Sequence, residues 1–168
     1  MPETFESLLV KLSRADVEYL VAGGVAVCLN GSCAPQKIWT FWLASPANVQ
    51  RLLDVLARFG GGSARELTAD DFHLEEGAVR LNENFTVGLF TLMRSRTFAD
   101  FRTTALALQV SGTTIWYLAP ESLIELKAPS RREKDRLDVA ALREILAGTS
   151  SRERVDLIHL TPPPEPSD

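Results

Sequence analysis

The chain has 168 residues, with 18 Lys and Arg against 22 Asp and Glu and a formal charge of -4. With 45% hydrophobic and 24% charged residues it is too apolar for a disordered chain and long enough for one domain with a full core. Mild acidity argues against a dedicated nucleic-acid binder, for which a basic footprint is expected. The apolar stretch Tyr19–Gln50 is interrupted by Asn30, Pro35, Gln36, Lys37 and several glycines, so no membrane span is expected. The first residues lack the basic and apolar regions of a signal peptide. Cys28 and Cys33 suit a reduced cytoplasmic chain better than a disulfide scaffold, with Cys28 a small buried filler and Cys33 an unactivated loop thiol.

Phe5, Leu8, Leu9 and Leu12 recur at helical spacing, which predicts an amphipathic helix over 3–14. Val17–Ala22 reads as a buried strand, Gly23-Gly24 as a break, and Val25–Leu29 as a short helix closed by Asn30-Gly31. Lys37–Ala44 is dense in β-branched and aromatic residues and predicts a second strand. Ser45-Pro46 opens the next helix, with Val49, Leu52, Leu53, Leu56 and Phe59 inward and Gly60-Gly61-Gly62 as its stop. Thr68–Asp71 has the form of a capping box. Ala78–Leu81 and Asn84–Leu92 are expected to pair across a turn at Asn82-Glu83. Thr97–Arg102 predicts a short helix, and Leu106–Val110 and Thr114–Leu118 predict strands joined at Ser111–Thr113.

Pro120 opens a helix interrupted at Pro129, and Ser130–Ala147 is the last helix, with Leu137, Ala141, Leu142 and Ile145 inward and Gly148 as its stop. This order predicts a single α/β (α+β) domain over residues 1–148, with a central mixed sheet flanked by helices. Residues 149–168 form a charged and then proline-rich tail, expected to be largely disordered.

Val17–Gly31, a strand running into Gly-Gly and a short helix, resembles the opening of the nucleotidyltransferase superfamily, in its minimal, AbiEii-toxin-like branch. Ser122-Leu-Ile-Glu-Leu-Lys127 followed by Arg132-Glu-Lys134-Asp135 and Asp138 resembles a later segment of that branch. The resemblance covers about residues 3–147 and implies nucleotide transfer from an NTP with Mg²⁺. Glycines let backbone approach the phosphates, an Asp-x-Asp strand and a third Asp hold the metal, and Lys127, Arg132 and Lys134 face the triphosphate.

Carried onto this chain, the Asp-x-Asp positions fall on Ile38 and Thr40, and the third on Gly88, with Thr86 as second choice. None is a carboxylate. Both segments lie in acid-free stretches, Tyr19–Leu53 and Asn84–Ala99, so no shift of register restores the ligands. One Thr hydroxyl is a poor Mg²⁺ site beside charged carboxylates.

The expectation is therefore a pseudoenzyme without cofactor or metal. It keeps a nucleotide or ligand site at Gly23, Gly24, Lys127, Arg132 and Lys134, with Thr40, Trp42 and Thr86 lining the pocket. A protein partner or a second copy of the chain is an alternative occupant, as in toxin–antitoxin pairs. A second reading is an active transferase using Mg²⁺ and NTP, with ligands relocated to Glu83, Asp100 or the Asp70–Glu76 loop around His73. A third is a purely structural or oligomerisation domain.

Each feature has a plainer reading. Gly23-Gly24 also suits a tight turn with positive φ, and the alternating Ile38, Thr40, Trp42 and Trp39, Phe41 faces also suit plain core. Lys127, Arg132 and Lys134 also suit a solvated helix surface with Lys134–Asp138 at i,i+4. Asp135 and Asp138 are read as salt-bridge partners, the Asp70–Glu76 cluster as a solvated loop, and His159 as having no role.

Overall fold

The structure, a computed structural model, describes residues 4–32, 38–43, 45–82 and 85–148. Glu83, Cys33, the Trp39 side chain and the tail 149–168 lie outside the described residues. The first helix, α1 (Phe5–Arg14), starts at a capping box in which Thr4 and Ser7 satisfy each other's backbone N–H groups. It buries Phe5, Leu8, Leu9 and Leu12, the predicted stripe. Strand β1 (Tyr19–Ala22) is buried along its whole length and runs directly into α2 (Gly23–Leu29). That helix begins at the glycines, two residues before the predicted start. Asn30 closes it, donating from Nδ2 to the carbonyls of Ala26 (2.8 Å) and Leu118 (3.0 Å).

Strand β2 (Ile38–Leu43) and helix α3 (Pro46–Leu56) follow. Short 3₁₀ turns at Ser63–Glu66 and Ala69–Asp71 come next, the second carrying the expected Thr68–Asp71 capping box. Strands β3 (Val79–Asn82) and β4 (Thr86–Phe90) pair antiparallel. Asn82 faces Thr86, so the connection is one residue longer than the predicted two-residue turn. The register differs accordingly and sets Arg80 against Gly88. The predicted long strand to Leu92 ends early. At Thr91 the chain leaves the sheet and forms a hairpin of β5 (Leu92–Met93) and β6 (Arg96–Thr97), turning on Arg94 and Ser95, both at positive φ.

Helix α4 (Phe98–Arg102), strands β7 (Leu106–Val110) and β8 (Thr113–Tyr117), and helices α5 (Pro120–Lys127) and α6 (Glu133–Leu146) complete the chain. Ser111 and Gly112 both have positive φ, the signature of a two-residue hairpin turn, and Val110 pairs with Thr113.

One mixed sheet of six strands runs in the order β3-β4-β2-β1-β8-β7. β2 lies parallel to β4 and β1 parallel to β8, while the remaining neighbours are antiparallel. Successive residues of a strand point to opposite faces. Phe41 stacks on Phe5 of α1 (centroids 5.7 Å apart), whereas Trp42 meets Phe101 of α4 (5.1 Å), so helices cover both faces. Burial raises the Tyr19 phenol to about 12, against a small lowering by the Ser13 hydroxyl. Among the described residues no helix is long and apolar enough to cross a membrane.

Two expectations about side chains are corrected. Cys28 is disulfide-bonded, not a reduced thiol; the chain's other cysteine, Cys33, lies outside the described residues. Leu137 is 64% exposed rather than inward, and Ala141 is half-buried. The inward face of α6 keeps the expected Leu142 and Ile145 and adds Asp135, Asp138 and Val139. Hydrophobic periodicity overlooked this because two of the buried residues are carboxylates whose charge is met by another helix.

Candidate functional site

Backbone register builds the site. Ala22 faces Thr40 across β1–β2, Thr40 faces Gly88 across β2–β4, and Gly88 faces Arg80 across β4–β3. Residues in such a row share one face of the sheet. A cleft of about 800 Å³ opens over this row, between the sheet and the α5–α6 pair. Its floor is Ile38, Thr40, Gly88 and Phe90; Gly23 and Gly24 line one end, and the β5–β6 hairpin contributes Met93 and Arg94. The helical wall supplies Leu123, Leu126 and Lys127, then Ser130, Arg132, Lys134 and Asp135 from the α6 entry.

Glycine is required at Gly23 for two reasons. Its φ is +62°, and a Cβ there would lie 3.1 Å from the Thr40 hydroxyl oxygen. Gly24 has no positive φ, so the turn rests on the first glycine alone. Gly88 has extended backbone, and a Cβ there would make ordinary contacts at 3.4 Å with Ile38 and 3.5 Å with Thr40. At this position neither conformation nor space demands glycine.

The sheet thus brings Ile38, Thr40 and Gly88 together, and the fold adds Gly23, Gly24, Lys127, Arg132 and Lys134 around them. Two other expected lining residues stand elsewhere. Trp42 is fully buried below the cleft, where it packs on Phe90 (4.8 Å) and Phe101 and donates from Nε1 to the Thr91 carbonyl (3.0 Å). Thr86 sits one row outward, opposite Ile38, with its hydroxyl on the Asn82 side chain (3.2 Å).

Lys127 reaches the cleft, but its ammonium is taken. Nζ lies 2.9 Å from Asp135 Oδ1 and 3.0 Å from Asp138 Oδ2, and all three side chains are nearly buried. The Asp138 contact is a charge contact without hydrogen-bond geometry, whereas Asp135 accepts hydrogen bonds from Lys127 and from the Ser130 hydroxyl (2.6 Å). Burial pushes the Asp135 carboxyl up. The Ser130 and Lys127 hydrogen bonds, with the charges of Lys127 and Arg132, outweigh it and hold the group below its ordinary value. Asp138 thus meets Lys127 across the two helices, an inter-helix ion pair that the surface reading of α6 did not include.

Arg80, Arg94, Phe90 and Met93, which sequence reasoning passed over, complete the cleft together with Glu76 of the Asp70–Glu76 loop. Arg94 donates from Nε to the Leu126 carbonyl (2.7 Å), Arg96 pairs with Glu125 (2.6 Å), and Glu76 accepts from Ser95 N (2.8 Å). The first two bonds hold the hairpin against α5, and the third ties it to the segment before β3. Correct β3–β4 register was the signal needed for Arg80, and a two-residue turn at Asn82-Glu83 would have set it three residues away. Counted as formal charges, the lining carries five basic side chains against Glu76 and Asp135, in a chain that is net acidic.

A Mg²⁺ ion, which the family resemblance implies, does not fit these residues. Mg²⁺ demands octahedral oxygen ligation. The three family positions offer an isoleucine, one hydroxyl and a glycine, and the two lining carboxylates are already bonded within the protein. Asp100 caps α4 by accepting from Thr97 N (2.7 Å), which holds its carboxyl below the usual value, and does not line the cleft. Asp71 caps its own turn. Among the described residues no group of three His, Cys, Asp or Glu is placed to hold a metal.

Among solved structures, the chain aligns with the crystal structure of an antigenic nucleotidyltransferase-like protein from Paracoccidioides brasiliensis. The two are 19% identical over 82% of this chain and 72% of that one, with a TM-score of 0.49. No family model and no curated protein matches the chain.

Proposed function

We propose that the chain is a degenerate nucleotidyltransferase-like domain that binds a nucleotide or related phosphate-bearing ligand and carries out no metal-dependent transfer. The observation that carries this reading is the row Ala22–Thr40–Gly88–Arg80. It sits under a basic cleft beside Gly23-Gly24, with the positions that resemble a metal-binding strand pair occupied by Ile38, Thr40 and Gly88. A cleft of this volume matches the size range of small-molecule sites, and an apolar floor with few converging charges is their usual composition. Phosphoryl transfer depends on metal ions or equivalent cations placed at the reacting oxygens, and the floor has no carboxylate to hold one.

The test is incubation with labelled NTPs and Mg²⁺ or Mn²⁺, with protein and RNA acceptors, alongside a thermal-shift series with unlabelled nucleotides. The expected result is no incorporation together with a rise in unfolding temperature, because a ligand that binds only the folded state stabilises it. Reproducible incorporation that survives denaturing purification would overturn the reading.

A further inference from the structure

We propose that the cleft takes a polyphosphate ligand without a metal ion, and that the Arg80 guanidinium supplies, from the sheet edge, positive charge that divalent cations would otherwise bring. The inference rests on the phosphate-binding reading above and adds both the way charge is balanced and the residue that balances it. Arg80 stands in the same cross-strand row as Thr40 and Gly88, so its side chain leaves the sheet on the face that forms the floor. It is exposed, and its guanidinium has no hydrogen bond or ion pair among the described residues. The Arg132 guanidinium, exposed at the entry to α6 on the helical wall, likewise makes no hydrogen bond or salt bridge among the described residues, though its charge acts on Asp135.

Lys127 is excluded from the role because two carboxylates already consume its charge. A guanidinium is a planar fork that bonds two phosphate oxygens at once and stays charged at every physiological pH. Two such forks on separate walls favour a ligand with at least two anionic groups rather than one. With Arg80 beside a floor that has no carboxylate, and with Glu76 and Asp135 already bonded within the protein, the cleft offers Mg²⁺ no free carboxylate, so Mg²⁺ bound to the ligand is a competitor here and not a bridge.

Titration calorimetry with inorganic tripolyphosphate and with ATP, each in EDTA and in Mg²⁺, tests this. The wild-type chain is expected to bind in EDTA and to bind no better, or more weakly, in Mg²⁺. R80A and R132A are each expected to weaken binding by about ten- to a hundredfold, the value of one charge-assisted contact. R80K, which keeps the charge and loses the fork, should fall between R80A and wild type, and R58A on the far side of the molecule should leave affinity unchanged. Circular dichroism checks that R80A is folded; if it is not, R80K reads the same contact. Binding that appears only with Mg²⁺, or that folded R80A retains at wild-type strength, overturns the metal-free role of Arg80 and leaves the phosphate-binding reading standing. No binding of either probe in either condition overturns both.

Discussion

Replacing Lys127 by methionine separates a structural lysine from a ligand-binding one. The ammonium sits 2.9 Å from Asp135 and 3.0 Å from Asp138, with the three side chains 13%, 12% and 12% exposed. Its removal leaves two carboxylates whose nearest oxygens are at most about 6 Å apart, which at an effective dielectric near 20 means about 3 kcal/mol of repulsion. Partial protonation relieves some of this, while the lost attraction adds to it. Breaking a buried ion pair from one side typically costs about 3–5 kcal/mol. We expect K127M to lose about 3 kcal/mol in urea unfolding followed by circular dichroism, and Tm to fall by about 6–12 °C for a domain of this size. The loss should shrink as pH is lowered and the orphaned carboxylates take up protons. K127M/D135N/D138N, which removes all three charges, should return to within about 1–2 kcal/mol of wild type, since neutral replacement of a whole buried cluster is often tolerated. A folded K127M with wild-type stability, or a triple variant no better than the single one, would refute the assignment of Lys127 as an inter-helix strut.

Gly23→Ala should destabilise the domain by about 1–3 kcal/mol in the same assay, from a left-handed φ and contact with Thr40, while Gly88→Ala should cost less than about 1 kcal/mol. Equal effects would show that the two glycines are not distinguished as the backbone indicates. The variant I38D/T40D/G88D returns carboxylates to the floor and should gain a Mn²⁺-dependent rise in Tm that the wild type lacks, of the size set by ligand concentration over Kd. A folded variant with no such shift would remove the case that these three positions can form a metal site. Asp135 has a folded-state pKa below its unfolded value of 3.8, so the unfolded chain binds more protons there. Its contribution is fully present above that value and is lost as pH falls through the lower, folded one. Stability curves of wild type and D135N should therefore converge in acid; a constant gap down to pH 2 would contradict the shift.

The reading from sequence followed local chemistry closely where local chemistry governs. The Thr68 box, the proline starts at Pro46 and Pro120, and the stripe of α1 all depend on residues within one or two turns of each other. It went astray where a partner distant in sequence intervenes. The β4 strand ended at Phe90 because Thr91 turns away, its carbonyl taken by Trp42 and its hydroxyl by the His73 carbonyl. Leu137 faces solvent because Lys127, on another helix, draws Asp135 and Asp138 inward. Trp42 alternates onto the face that carries Thr40, as parity requires, but α4 covers it; period-two reasoning assigns a face and does not say what lies over it.

The acid-free stretches Tyr19–Leu53 and Asn84–Ala99 were evident before any coordinate was known, and they alone determine that no carboxylate stands on β2 or β4. That conclusion needs only composition by segment, because neither strand can borrow an acid from itself in any register. What the charge of -4 concealed, and only the tertiary structure decided, is where the opposite charge gathers. Arg80, Arg94 and Arg132 are far apart in sequence and meet at one cleft through strand register, a hairpin docked on α5, and the start of α6. Lys127 stands among them with its charge already matched by two buried carboxylates. Net charge sums over the chain, whereas a ligand responds to the few charges within a Debye length, and those are set by folding.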